Sequence, residues 1–259
     1  RAKDLDQLLL RLEEEERLSR YSVAWIDGLA RGGSLGRGVL MRGDHVPLSE
    51  LPRGKDARAE IAEGGGPSVP VDAPPFLLGP ATVSAFNALY YAAGRDSTTL
   101  SPFAGFFFPL DAAGKWNRLY GQRGFVQYQA LFPRETAAEG CRRILEEISR
   151  ERAASFLAVL KTTGPEGRGL LSFPRPGVTL ALDVPNVGAP LRPLARRLDE
   201  IVLKGGGRLY LAKDALTDAG TFAAMYPRLA EFRAARNRLD PGRRFSSSQA
   251  RRLGLVEPS

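Results

Sequence analysis

The run "KGGGRLYLAKD", residues 204 to 214, leads three glycines into a short apolar stretch and delivers Lys213 and Asp214 at its end. An ammonium in such a place is either a solvated charge after a turn or a donor aimed at a ligand. Lys161 ends "FLAVLK" in the same way, and two lysines near one sheet could flank an anion or hold a hydroxyl group. Gln127 and Gln129 stand two apart in "RGFVQYQALF", so on a strand both point to one face. Two amides beside Trp116, Tyr120 and Tyr128 could bind a polyhydroxylated ligand, and the same spacing also describes an ordinary exposed polar face.

These residues need a scaffold, and its pattern is legible. Leu5, Leu8, Leu9 and Leu12 lie on one face of an opening helix. "YSVAWIDGLA" and "GRGVLMRG" read as strands joined by the turn "RGGSL". Residues 51 to 80, with "EGGGPSVPVDAPP", read as a long loop. Beyond it, "RGFVQYQALF" reads as a strand closed by Pro133. A helix over 135–150 follows, with Ala138, Cys141, Ile144, Leu145 and Ile148 on one face. "ASFLAVLKTTG" and "GVTLALDVP" are strands, and Leu191, Leu194, Ala195, Leu198, Ile201 and Val202 form a second helical stripe. "GRLYLA" is the last strand, with "GGG" closing the helix before it. The order β-α-β-β-α-β predicts an α+β fold, a ferredoxin-like split βαβ unit with an antiparallel sheet. "DAGTFAAMY" and "RLAEFRAARNRL" then read as two helices outside that unit, parted by Pro227.

Composition narrows the chemistry. The chain has 259 residues with a single cysteine, Cys141, and a single histidine, His45. Disulfides, zinc sites and Cys-His or Ser-His-Asp catalysis within it are therefore not expected, and no metal site is predicted. Neither G-x-G-x-x-G nor G-x-x-x-x-G-K-[ST] occurs, so the chain supplies no familiar nucleotide loop of its own. The net charge of +8 suits an anionic ligand, and the dispersed basic residues carry no nucleic-acid-binding motif. No apolar run reaches the ~20 residues of a membrane span, and no signal-peptide pattern is present. The abrupt start, without methionine, suggests a cut within a longer protein.

"YSVAWID", "LGRGVLMRGDH", "PLDAAGKWNRLYGQRGFVQYQ", "FLAVLK", "LSFPRPGVTLALDVP", "GGRLYLAKD", "MYP" and "RLDPGRRFSSSQARRLGL" occur in this order. Together they resemble the C-terminal part of FAD-linked oxidases of the vanillyl-alcohol-oxidase type. Within that family the resemblance is strongest to the decaprenylphosphoryl-ribose-oxidising branch, the flavoprotein half of a 2′-epimerase in cell-wall biosynthesis. The resemblance implies a substrate (cap) domain over residues 1–207. It also implies a returning segment, 208–259, whose helices would complete an FAD-binding domain absent from this sequence. It implies an FAD-dependent oxidoreductase acting on a secondary hydroxyl of a sugar or polyprenyl-phosphate sugar, inactive as this piece alone. A short-chain reductase would be the partner for epimerisation, and the location cytoplasmic or peripheral to the inner membrane.

Residue by residue, Lys213 matches the family lysine beside flavin and substrate hydroxyl, and is the expected catalytic residue. Tyr210, Ala212 and Lys213 match cofactor neighbours. Trp25, Leu110, Gln127, Gln129 and Lys161 match residues lining the substrate pocket. Two departures stand out: Ala181 replaces a cysteine of the mycobacterial enzymes, so thiol-directed inhibitors should not react, and Phe107 stands where a tyrosine is common. Two other functions remain open: an alditol or aldonolactone oxidase of the same superfamily, and a cap-like binding module that is not an enzyme. Loss of Lys213 should cripple an oxidoreductase and leave such a module unchanged.

Overall fold

A computed structural model of the chain describes residues 1–15, 18–51 and 67–256. Half of the loop expected over 51–80, residues 52–66, therefore lies outside the described residues. The described chain is mixed α/β, with one six-stranded antiparallel sheet and helices packed on it. Helix α1 (Leu5–Glu15) buries Leu5, Leu8 and Leu12 completely, with Leu9 partly buried against the same core. Strands β1 (Tyr21–Ile26) and β2 (Gly38–Gly43) pair antiparallel, as the sequence suggested. Two helices that periodicity did not announce follow, α2 (Pro80–Ala93) and α3 (Phe103–Phe107).

The second half runs β3 (Phe125–Pro133), α4 (Arg134–Arg150), β4 (Ala158–Thr163), β5 (Gly177–Pro185), α5 (Leu191–Lys204) and β6 (Arg208–Leu209). Across the sheet the strands lie in the order β2-β1-β4-β5-β3-β6. One face is apolar: Ala24, Leu160, Leu180, Leu182, Ala130 and Phe132 are all buried there, together with the stripes of α1, α4 and α5. The packing between α4 and β3 is close. A Cβ added at Gly140 would sit 2.4 Å from the Phe132 ring, so glycine is what lets the helix approach the strand. Cys141 on that face is buried, and its thiol is pushed up to about 12 by desolvation, which makes it an inert packing residue.

The glycine triplet closes α5 as expected. Gly206 adopts φ of 62°, its N–H bonds to Leu203 O, and Gly207 N–H bonds to Val202 O at 2.7 Å. That double closure leaves the backbone free to enter β6. Strand β6 is shorter than "GRLYLA" suggested. It pairs with β3 over two residues, and after Tyr210 N–H bonds Gln129 O the chain turns, with Lys213 N–H on Tyr210 O at 2.8 Å. Lys213 thus sits on a turn rather than at a strand end. Three helices follow: α6 (Ala219–Met225), α7 (Leu229–Leu239) and α8 (Ser248–Arg252). Of the two helices expected to pack outside the sheet unit, α6 belongs to this chain's own core, burying Phe222 and Met225. Helix α7 buries Leu229 but leaves Leu239 87% exposed.

Candidate active site

Strand alternation puts the residues opposite the apolar face on the other side of the sheet. Register sets them side by side: Gln127 opposes Asp183, Gln129 opposes Ala181, Ala181 opposes Val159, and Lys161 opposes Thr179. Trp25 continues the row from β1, opposite Val159. One sheet face therefore carries Trp25, Gln127, Gln129 and Lys161, the four sheet residues picked out in the sequence. The fifth expected pocket residue, Leu110, is half-buried on a 3-10 turn, Pro109–Ala112, outside the sheet.

Each side chain has a definite mount. The Trp25 indole donates to Phe156 O at 2.9 Å, and its ring lies 4.6 Å from that of Tyr90 on α2. Gln127 Nε2 donates to Asp183 Oδ1 at 2.8 Å, and Gln129 Nε2 to Thr179 Oγ1 at 3.0 Å. Asp183 accepts a second bond at 2.9 Å from the Tyr120 hydroxyl, which also meets Ser155 Oγ at 3.2 Å. Burial raises the Asp183 pKa, while the Gln127 and Tyr120 bonds and the Lys213 charge oppose that rise. Tyr120, buried beside this carboxylate, has its own proton held well above the ordinary phenol range.

Lys213 is half-buried over this face. Burial lowers its pKa, the Asp183 charge pulls it back up, and the Lys161 charge lowers it further. Lys213 thus feels both the Asp183 carboxylate and the Lys161 charge, although β4 and β6 are separated in the sheet by β5 and β3. The Lys213 turn is anchored from α8. Gln249 Nε2 bonds Leu211 O and, at 2.9 Å, Asp214 Oδ2; Arg252 pairs with Asp214 at 3.1 Å and donates to Thr217 O at 2.9 Å. Ala212 and Tyr210 are exposed on the turn, with the Tyr210 ring 4.8 Å from that of Phe173. The turn therefore carries an exposed aromatic ring and a half-buried ammonium of weakened proton affinity three residues apart. Among the described residues no cluster of His, Cys, Asp and Glu could hold a metal ion.

Asp183 and Thr179 were not singled out in the sequence, and Tyr120 was named only as an aromatic beside the amides. A carboxylate inside "TLALDVP" was the available signal, since an ionisable residue flanked by core positions needs a partner. Phe107, where the family resemblance led us to expect a tyrosine, packs edge-on against Tyr21 with ring centroids 4.8 Å apart. The Tyr21 hydroxyl in turn meets His45 Nε2 at 3.1 Å.

The sequence has relatives among known proteins. Residues 186–253 match the family model for D-arabinono-1,4-lactone oxidase. Decaprenylphosphoryl-beta-D-ribose oxidase of Mycolicibacterium smegmatis is 38% identical over 240 residues, covering 91% of this chain and 51% of the relative. An uncharacterised protein from the mprA 5′ region of Streptomyces coelicolor is 34% identical over 270 residues, covering 98% of this chain and 71% of the relative. The chain belongs to the FAD-linked oxidase family, and the lactone-oxidase family matched over residues 186–253 is one of oxidoreductases acting on sugar CH–OH groups. It spans about half the length of the Mycolicibacterium relative.

Proposed function

We propose that this chain is the substrate-binding part of an FAD-dependent oxidoreductase that oxidises a secondary hydroxyl of a sugar or sugar phosphate. The observation that carries the reading is the joint placement of Gln127, Gln129, Lys161 and Lys213 about one sheet face, with the Lys213 charge coupled to Lys161 and Asp183. When bound, FAD supplies the acceptor for the hydride that leaves the alcohol carbon. The residues of this chain do the rest. The two amides and Lys161 hold the sugar and its phosphate side. Lys213 donates to the alcohol oxygen and stabilises negative charge on it as the hydroxyl proton passes to solvent water. Trp25 and Tyr90, with rings 4.6 Å apart, give that face an aromatic wall for the sugar.

On this reading the β3-α4-β4-β5-α5-β6 run is a ferredoxin-like split unit, residues 1–207 form the cap, and 208–259 returns to a flavin-binding domain. The exposed Leu239 and Phe245, 87% and 79% accessible, are the apolar surface expected where that segment meets the rest of such a domain. The polyprenyl-phosphate sugar named for the Mycolicibacterium relative is the leading substrate class, with a short-chain reductase completing an epimerisation. No described helix is long and apolar enough to cross a membrane, and we propose contact with a lipid-borne substrate at the membrane periphery.

The lactone-oxidase match over 186–253 favours a second substrate class, alditols or aldonolactones. A panel assay on the chain joined to a flavin-binding unit separates the two. Polyprenyl-phosphate pentose is expected to reduce the flavin at least ~10-fold more efficiently than xylitol or a pentonolactone, a margin of about one to two directed hydrogen bonds. A preference for the free polyol or lactone would move the assignment to the second class.

A further inference from the structure

The two glutamine amides are held in one sense, and the bonding leaves no alternative. The Thr179 hydroxyl is buried and donates its only proton to Ala130 O at 2.9 Å, because a carbonyl can do nothing but accept. Toward Gln129 the same oxygen can therefore only accept, at 3.0 Å, so the amide must turn its Nε2 to Thr179. Asp183 does the same for Gln127. Its carboxylate takes the Tyr120 hydroxyl at 2.9 Å and Gln127 Nε2 at 2.8 Å, and an ionised carboxylate accepts only. In both residues the amide oxygen is the end left over. Gln127 and Gln129 are successive residues on the same face of β3 and both are half-buried, so neither has lost access to a ligand.

We infer that Thr179 and Asp183 are positioning residues that fix both glutamine amides with their carbonyl oxygens toward the ligand, so that the site selects a ligand offering two hydroxyl donors. The inference rests on the sugar reading and sharpens it. Lys161 and Lys213, which can only donate, serve the phosphate and the reacting oxygen, while the amide oxygens read the remaining hydroxyls as donors. A deoxy or O-methyl sugar lacks those protons and leaves a half-buried acceptor without a partner. Ala181, opposite Gln129 and beside Thr179 on the same face, adds no polar atom that would compete for either amide.

The test uses this chain and three probes, D-ribose 5-phosphate, 2-deoxyribose 5-phosphate and inorganic phosphate, followed by tryptophan fluorescence. The wild type is expected to prefer the ribose ester over its deoxy analogue by about 10-fold, the worth of one directed hydrogen bond. Thr179→Val should cut that preference to within about 2-fold, Thr179→Ser should restore it, and phosphate affinity should be the same in all three, since the anion is held elsewhere. Side-chain amide NMR adds a readout that needs no ligand. The Gln129 NH2 pair should exchange slowly in the wild type and in Thr179→Ser, and rapidly in Thr179→Val.

A Thr179→Val variant that discriminates like the wild type, or a serine that fails to restore the preference, overturns the inference. Equal wild-type affinity for ribose and deoxyribose esters also overturns it, yet leaves the sugar reading standing. If the chain binds none of these probes or a free alditol, the sugar reading falls and the inference with it.

Discussion

Lys213 is half-buried and feels the Asp183 carboxylate and the Lys161 ammonium, and burial above all leaves its proton more weakly held than usual. The folded-state pKa lies below the unfolded value of 10.5, so the folded protein binds this proton less well. The resulting cost to stability is fully present at neutral pH and is lifted as pH rises through the folded pKa toward the unfolded one. Lys213→Met is therefore expected to leave thermal stability at neutral pH unchanged or raised, while the oxidation rate falls by about 10²-fold or more, as for other lost oxyanion donors. If the protonated lysine is the working form, the rate of the holoenzyme falls with rising pH below 10.5, and Lys213→Arg moves that limb upward. A rate that instead rises through the same range would make Lys213 a base and contradict the donor role. The lysine stood out at the end of its glycine-led run, but a role for it came only from the family resemblance. Asp183 did not stand out, because a carboxylate two residues from a strand end normally faces water, and only the structure shows it meeting Gln127 and Tyr120.

At the scale of elements, the site is as good as the turn that carries Lys213. Two residues of β6 and the side chains of Gln249 and Arg252 hold that turn. Gln249→Ala should lower kcat/KM by about 10-fold while costing about 1 kcal/mol in urea unfolding, since one hydrogen-bonding side chain is lost and the core is untouched. Gly140→Ala should do the reverse. Its new Cβ meets the Phe132 ring at 2.4 Å, so about 1–3 kcal/mol of stability should be lost with no direct effect on ligand affinity. Helices α4 and α5 were readable because each has one apolar stripe facing the sheet. Helix α2 was not, because its apolar residues go round the helix: Phe86 and Leu89 are 44% and 72% exposed while Val83 is buried. "GRLYLA" was read too long because Tyr210 still bonds to β3 before the backbone turns, and composition does not mark that stop.

The whole molecule divides its sheet between two tasks, an apolar face that binds three helices and a polar face that holds glutamines, lysines and a buried carboxylate. That division needs no phosphate-cradling loop within the chain, in keeping with a sequence that contains none. We expect this polypeptide alone, mixed with FAD and passed through gel filtration, to emerge without the flavin band near ~450 nm. A retained band would assign the 208–259 segment a larger part in cofactor binding than proposed.

The most direct test is anaerobic single-turnover mixing of a polyprenyl-phosphate pentose with the chain joined to its flavin-binding unit, as wild type and as Lys213→Met. The account predicts bleaching of the flavin near ~450 nm by the wild type and bleaching slowed by about 10²-fold or more in the variant, with flavin content equal in both. Equal rates in the two proteins, or no bleaching of the wild type by any sugar, alditol or lactone, would contradict it.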